Sequence, residues 1–137
     1  MAKRVPAESE GFNPFGDLIG LHFTECENGH SRCVLVATGK LHNPQGVLHG
    51  GVTYTMADTG MGGAMYSVME NDELCASIEI KIHYFKAVAA GTLICDTQIL
   101  HRSKRIATLE SEIRNGDDLV AKALGTFSIF KAKAAPR

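Results

Sequence analysis

Hydrophobic and polar positions alternate strictly over Ser77-Ile78-Glu79-Ile80-Lys81-Ile82-His83-Tyr84-Phe85, which places Ile78, Ile80, Ile82 and Tyr84 on one face and Glu79, Lys81 and His83 on the other. A period of two marks a strand with one packed side. Three more strand-like runs follow at residues 92–100, 105–114 and 119–130, and Asn115-Gly116 supplies a tight turn between the last two. Two come earlier: residues 18–26 read as a strand, Asn28-Gly29 turns the chain, and residues 32–38 return as its partner. Sequential hairpins of this kind make an antiparallel sheet.

One stretch follows neither that rhythm nor the one-sided pattern of a surface helix. From Val52 to Met69 the residues are apolar or small on every side, as in a helix sunk in a core, and Asp58 is their only formal charge. A carboxylate there must find partners, because loss of water disfavours its charged form, and this makes Asp58 a candidate functional group. Just ahead of the helix, His49-Gly50-Gly51 leaves backbone N–H groups open to a ligand at the positive end of the helix dipole. The two features stand about two turns apart, roughly 12 Å along the axis. One small reactive group cannot touch both on a straight helix, so joint action requires two copies of the helix to meet. Packing points the same way. No other element is available to cover a helix that is apolar all round, so an obligate homodimer or higher oligomer is expected.

Composition narrows the picture. With 137 residues and 45% hydrophobic content, the chain suits one domain with a single core. That domain is expected over residues 16–131, after a flexible segment at 1–15 in which Asn13-Pro14-Phe15 begins a short helical turn, and before a disordered tail at 132–137. Fourteen Lys and Arg against fifteen Asp and Glu give a net charge of −1, which argues against nucleic-acid binding and against attraction to an anionic membrane. The first residues contain no apolar run suited to a signal peptide, and a cytoplasmic protein is expected. Cys26, Cys33, Cys75 and Cys95 form no Cys-x-x-Cys pair, so reduced, mostly buried thiols are expected. Cys26, His30 and Cys33 could be read as metal ligands, but they straddle the predicted hairpin without an obvious fourth, and no metal is expected.

The spacing Asn43-x5-His49-Gly50-Gly51-x6-Asp58, followed by Ser77-Ile78-Glu79-Ile80-Lys81-Ile82 and by Ala121-Lys122-Ala123-Leu124-Gly125-Thr126-Phe127, resembles the hotdog-fold acyl-CoA thioesterases. Within them it is most similar to the phenylacetate-pathway (PaaI-like) and 4-hydroxybenzoyl-CoA branch that carries the His-Gly-Gly motif. The resemblance covers residues 16–131. It implies an α+β hotdog fold, a curved antiparallel sheet wrapped around one long central helix. It also implies hydrolysis of an aryl- or fatty-acyl-CoA, with coenzyme A as part of the substrate and no separate cofactor. The Gly50 N–H would polarise the thioester carbonyl, and Asp58 from the neighbouring subunit would act as general base or nucleophile. Asn43 would position water or thioester, His49 would shape the loop, and Ser77 would orient the water. Gly51, Arg102, Ser103, Lys104 and Arg105 would meet the coenzyme A moiety, and a homotetramer built from dimers is expected.

Each assignment has a plainer competitor. Asp58 could be a structural carboxylate, His49 a packed loop histidine, Asn43 a turn residue and Ser77 a local backbone partner. His101-Arg102-Ser103-Lys104-Arg105 could be a solvated turn. Rival functions are a non-catalytic acyl-CoA binding protein and a hydratase or dehydratase of the same fold.

Overall fold

The structure is a computed structural model and describes residues 11–133. The expectations for residues 1–10 and 134–137 lie outside the described residues. A short helix α1 (Pro14–Ile19) leads into β1 (His22–Glu27) and β2 (His30–Ala37), and a single 3-10 turn (Gly39–Leu41) precedes the central helix α2 (Gly50–Tyr66). Four strands follow: β3 (Glu73–Tyr84), β4 (Gly91–Arg102), β5 (Ile106–Asn115) and β6 (Asp118–Lys131). All six strands form one antiparallel sheet in the order β1-β2-β4-β5-β6-β3, with α2 packed across its inner face. Strand β3 is therefore an edge although it is long.

The predicted strand over residues 18–26 is corrected. Leu18 and Ile19 belong to α1, and the strand starts only at His22. Local chemistry overrides the apolar run here. Asn13 Oδ1 accepts from Gly16 N at 3.2 Å, Pro14 opens the helix, and Gly20 closes it in the left-handed conformation at φ 79°.

Inward-facing positions run in register from strand to strand: Leu93, Cys95 and Thr97 on β4, Ala107, Leu109, Ser111 and Ile113 on β5, and Ala121, Ala123, Gly125, Phe127 and Ile129 on β6. They meet Met56, Ala57, Gly60, Met61, Ala64 and Met65 of α2. Small residues bring helix and sheet close. A Cβ on Gly60 would lie 2.6 Å from Thr97 Oγ1. Buried hydroxyls and thiols of the sheet then reach the helix backbone: Ser31 Oγ donates to the Gly60 carbonyl (2.5 Å), Ser111 Oγ to that of Ala57 (3.3 Å) and Cys95 Sγ to that of Met56 (3.5 Å). Every buried polar side chain among the described residues has a partner.

The sheet sheathes only one side of α2. On the other, Gly51 and Tyr54 are exposed and Asp58, Gly62 and Tyr66 are half-buried. No helix among the described residues is long and apolar enough to cross a membrane.

Candidate active site

The glycine pair is set up by the loop before it. Asn43 Oδ1 accepts from Gln45 N at 2.9 Å, and Asn43 N donates to the Val47 carbonyl at 2.7 Å, so this side chain is spent on its own turn. His49 N donates to the Leu41 carbonyl at 2.9 Å, and His49 Nδ1 accepts from Gly51 N at 2.8 Å. His49 is thus the N-cap of α2, and in the neutral ring its proton resides on Nε2. Gly50 is the first helical residue, where no intrahelical acceptor exists, and among the described residues its N–H is unpaired. Its carbonyl accepts from Tyr84 Oη at 2.7 Å. Burial, and secondarily Tyr54, pushes the Tyr84 phenol above its ordinary value, so it stays a neutral donor. Sequence reading gave Tyr84 only a place on a packed strand face, and its clamp on Gly50 depends on where β3 ends.

Asp58 and Ser77 meet. Ser77 Oγ donates to Asp58 Oδ1 at 2.7 Å, and both line a cavity of about 430 Å³ between α1, the middle of α2 and β3. The meeting depends on a β-bulge. Ser77 pairs with Phe127 and Glu79 with Thr126, so Ile78 is an extra residue and is 58% exposed. The strict alternation predicted for this strand is therefore broken. Cys75 and Ser77 face the helix before the bulge, Ile80, Ile82 and Tyr84 after it, and Ile78 is taken out of the packed set. The expected burial of Asp58 is also corrected. The carboxylate is half-buried in the protomer because the sheet covers the opposite side of α2.

The cationic turn divides. Arg102 does not project with its neighbours: a bulge between Ile99 and His101 turns it inward, where its guanidinium donates to both Glu73 carboxylate oxygens (3.0 and 3.2 Å) and to the Val68 carbonyl (2.9 Å). Ser103 closes the turn through Ile106. Lys104 and Arg105 are exposed and line a separate cavity of about 540 Å³ with Phe130 and Lys131. This cavity lies at the C-terminal end of α2, opposite to Gly50. The Cys26, His30 and Cys33 set is split. Cys33 is fully buried on the inner face, His30 contacts Glu25 and Asp96, and burial pushes the Cys26 thiol up to about 11. Among the described residues, no group of three or more His, Cys, Asp or Glu side chains could hold a metal.

A six-stranded antiparallel sheet folded around one long helix is the hotdog architecture, and its central helix carries an open N–H at its start and a hydroxyl-bonded carboxylate on its uncovered side. Comparison with known proteins narrows this class. Residues 45–122 match the thioesterase superfamily. A conserved protein from Pseudomonas aeruginosa, PA5202, superposes with a TM-score of 0.86 at 35% identity, covering 91% of this chain and 100% of that one. The 1,4-dihydroxy-2-naphthoyl-CoA hydrolase of Listeria monocytogenes is 28% identical over 71% of this chain and 79% of its own. A mutant of the phenylacetic acid degradation protein PaaI from Thermus thermophilus has the same fold, with a TM-score of 0.79 at 23% identity over 85% of this chain and 98% of that one. The chain belongs to the thioesterase superfamily and is a hydrolase.

Proposed function

We propose that the chain hydrolyses an acyl-CoA thioester to a carboxylic acid and coenzyme A, within a homodimer whose central helices lie side by side. The observation that carries this reading is the Ser77–Asp58 hydrogen bond on the uncovered face of α2, two turns from an unpaired Gly50 N–H. The dimer is supported by the 12-residue β3, whose outer edge is unpaired within the chain beside that uncovered face. Antiparallel pairing of two β3 edges extends the sheet and brings the two uncovered helix faces together. A pair of dimers gives the expected tetramer.

In this arrangement the thioester carbonyl oxygen accepts a hydrogen bond from the partner subunit's Gly50 N–H. Ser77 engages Asp58 Oδ1 and leaves Oδ2 to take a proton from water. The water oxygen attacks the carbonyl carbon, negative charge develops on the carbonyl oxygen, and the N–H at the positive end of the helix stabilises it. Collapse breaks the C–S bond and releases the coenzyme A thiolate, which is protonated in solvent. His49 acts through the backbone, holding the Gly51 N–H and thereby the first turn. Lys104 and Arg105, exposed on the turn after β4, supply the cations for the nucleotide phosphates in this reading.

The test is thiol release from a panel of acyl-CoA thioesters. Asp58→Asn is expected to lower kcat by about 10²–10⁴-fold, the range for a general base. Ser77→Ala is expected to lower it by roughly tenfold, with Ser77→Thr restoring most of the rate. Unchanged turnover in Asp58→Asn overturns the mechanism, and acyl-CoA binding by wild type without thiol release establishes the binding-protein alternative.

A further inference from the structure

Gly50 bears the proposed oxyanion donor, yet little in its own turn holds it still. It has no side chain to pack, it is the first residue of α2, and its N–H has no intrahelical partner. The segment that leaves β3 supplies what the turn lacks. Phe85 N donates to the Val120 carbonyl of β6 at 2.8 Å, which ties this segment to the sheet. From there the Val88 carbonyl accepts from Leu48 N at 2.7 Å, and the Ala89 carbonyl accepts from His42 Nε2 at 2.9 Å. Both contacts grip the chain just ahead of Gly50. On the other side of its N–H, Tyr84 Oη donates to the Gly50 carbonyl at 2.7 Å, and the ring sits so close that a Cβ on Gly50 would lie 3.2 Å from Cζ. The peptide that carries the N–H is thus pinned before and after by residues 84–89. A second tyrosine crosses the same gap in the opposite direction: Tyr54 Oη, from α2, donates to the Ile80 carbonyl of β3 at 3.1 Å. Its hydroxyl fastens helix to strand but leaves the Gly50 carbonyl to Tyr84.

Building on the thioesterase reading, we infer that Tyr84 is a positioning residue: its hydroxyl fixes the direction in which the Gly50 N–H points, and so sets the strength of the oxyanion site without touching substrate. A hydrogen bond weakens steeply as the N–H leaves the line to its acceptor, and a donor stabilises developing charge best when it is held in place beforehand. A glycine peptide released on one side swings over a range that a pinned one does not. The loss falls on the transition state, where the carbonyl oxygen gains charge, so it appears in kcat and leaves KM nearly unchanged. Strand β3 then serves both halves of the chemistry, Ser77 holding Asp58 and Tyr84 holding Gly50.

The experiment measures thiol release from whichever of acetyl-CoA, phenylacetyl-CoA and palmitoyl-CoA wild type hydrolyses fastest. The variants are Tyr84→Phe, Tyr54→Phe, Gly50→Pro and the combination of Tyr84→Phe with Gly50→Pro, each with a thermal melt to show that it is folded. Tyr84→Phe is expected to lower kcat about tenfold with KM within about twofold, while Tyr54→Phe keeps kcat within about twofold of wild type. The proline background keeps the carbonyl that Tyr84 holds and lacks the N–H, so there Tyr84→Phe is expected to cost less than about twofold. Four results overturn the assignment and leave the thioesterase reading standing: unchanged kcat in Tyr84→Phe, a loss confined to KM, an equal loss in Tyr54→Phe, or the same loss in the proline background. A wild type that releases thiol from none of the three substrates defeats both.

Discussion

Replacing Gly50 by proline removes one hydrogen atom from the proposed oxyanion site and little else. Gly50 is the first residue of α2, where proline's fixed φ suits the helix and its missing N–H costs no intrahelical bond. His49 has φ −61° and ψ 132°, the extended conformation that a following proline demands. The one steric charge is a Cβ 3.2 Å from Tyr84 Cζ, which the ring must relieve by a few tenths of an ångström. Reduced freedom of the unfolded chain offsets this by about 0.4–1 kcal/mol, so the melting temperature is expected to stay near that of wild type. Catalysis is a different matter. Loss of one preorganised oxyanion donor costs about 2.7–4 kcal/mol, or 10²–10³-fold in kcat. Gly50→Ala is the matched control, because it introduces the same Cβ beside Tyr84 and keeps the N–H. The assay is thiol release by both variants under saturating substrate. A folded proline variant within threefold of the alanine variant refutes the donor role of Gly50. Mixing proline-variant subunits with Asp58→Asn subunits adds a test of geometry: if each site joins two chains, random hybrids regain about a quarter of the wild-type rate. No recovery places both groups in one chain.

Two further predictions concern stability. Arg102→Ala is expected to destabilise the fold by about 2 kcal/mol through loss of its bonds to Glu73 and the Val68 carbonyl, without raising KM; a raised KM at unchanged melting temperature contradicts the internal role of Arg102. The Glu70 N–H first, and Arg102 after it, holds the Glu73 carboxyl below its ordinary value against the opposing effect of burial. A depressed folded value means that this stabilisation is present above the ordinary glutamate range and is lost as pH falls through the depressed value, so the melting temperatures of wild type and Arg102→Ala are expected to converge in acid. On α2, Gly60→Ala and Gly62→Ala are expected to differ in sign. The first drives a methyl group against Thr97 Oγ1 and loses about 1–3 kcal/mol, while the second meets no atom of its own chain within 4 Å and gains about 0.5–1 kcal/mol in helix propensity. Equal shifts in chemical denaturation refute that orientation of the helix.

The central helix and the last three strands were legible because each is a long run of one character: apolar or small on all sides for α2, strand-like between turn signals for β4 to β6. The candidate site was legible as a spacing of His49, Gly50, Gly51 and Asp58. What escaped was information that exists only after strands pair. Leu18 and Ile19 look like strand residues until the Asn13 and Gly20 caps are weighed. Arg102 reads as one of three clustered cations, and only a bulge in β4 turns it from its neighbours. Tyr84 has no local signal for its contact with Gly50. The hydroxyls of Ser31 and Ser111 are unremarkable in sequence, yet in register they hold the carbonyls of Gly60 and Ala57.

The extra residue at Ile78 lets one strand serve two phases, one half presenting odd positions to the helix and the other half even ones. Its side chain is more than half exposed in the protomer and is not among the residues packed on the core. The count carries a different meaning. Removing the residue at 78 would leave Ser77 opposite Phe127 and Glu79 opposite Thr126, so both flanks would keep the faces they now show and the serine would still meet the carboxylate. What such a deletion takes away is the local kink of the strand, and that bend, not the facing of either half, is what the insertion supplies.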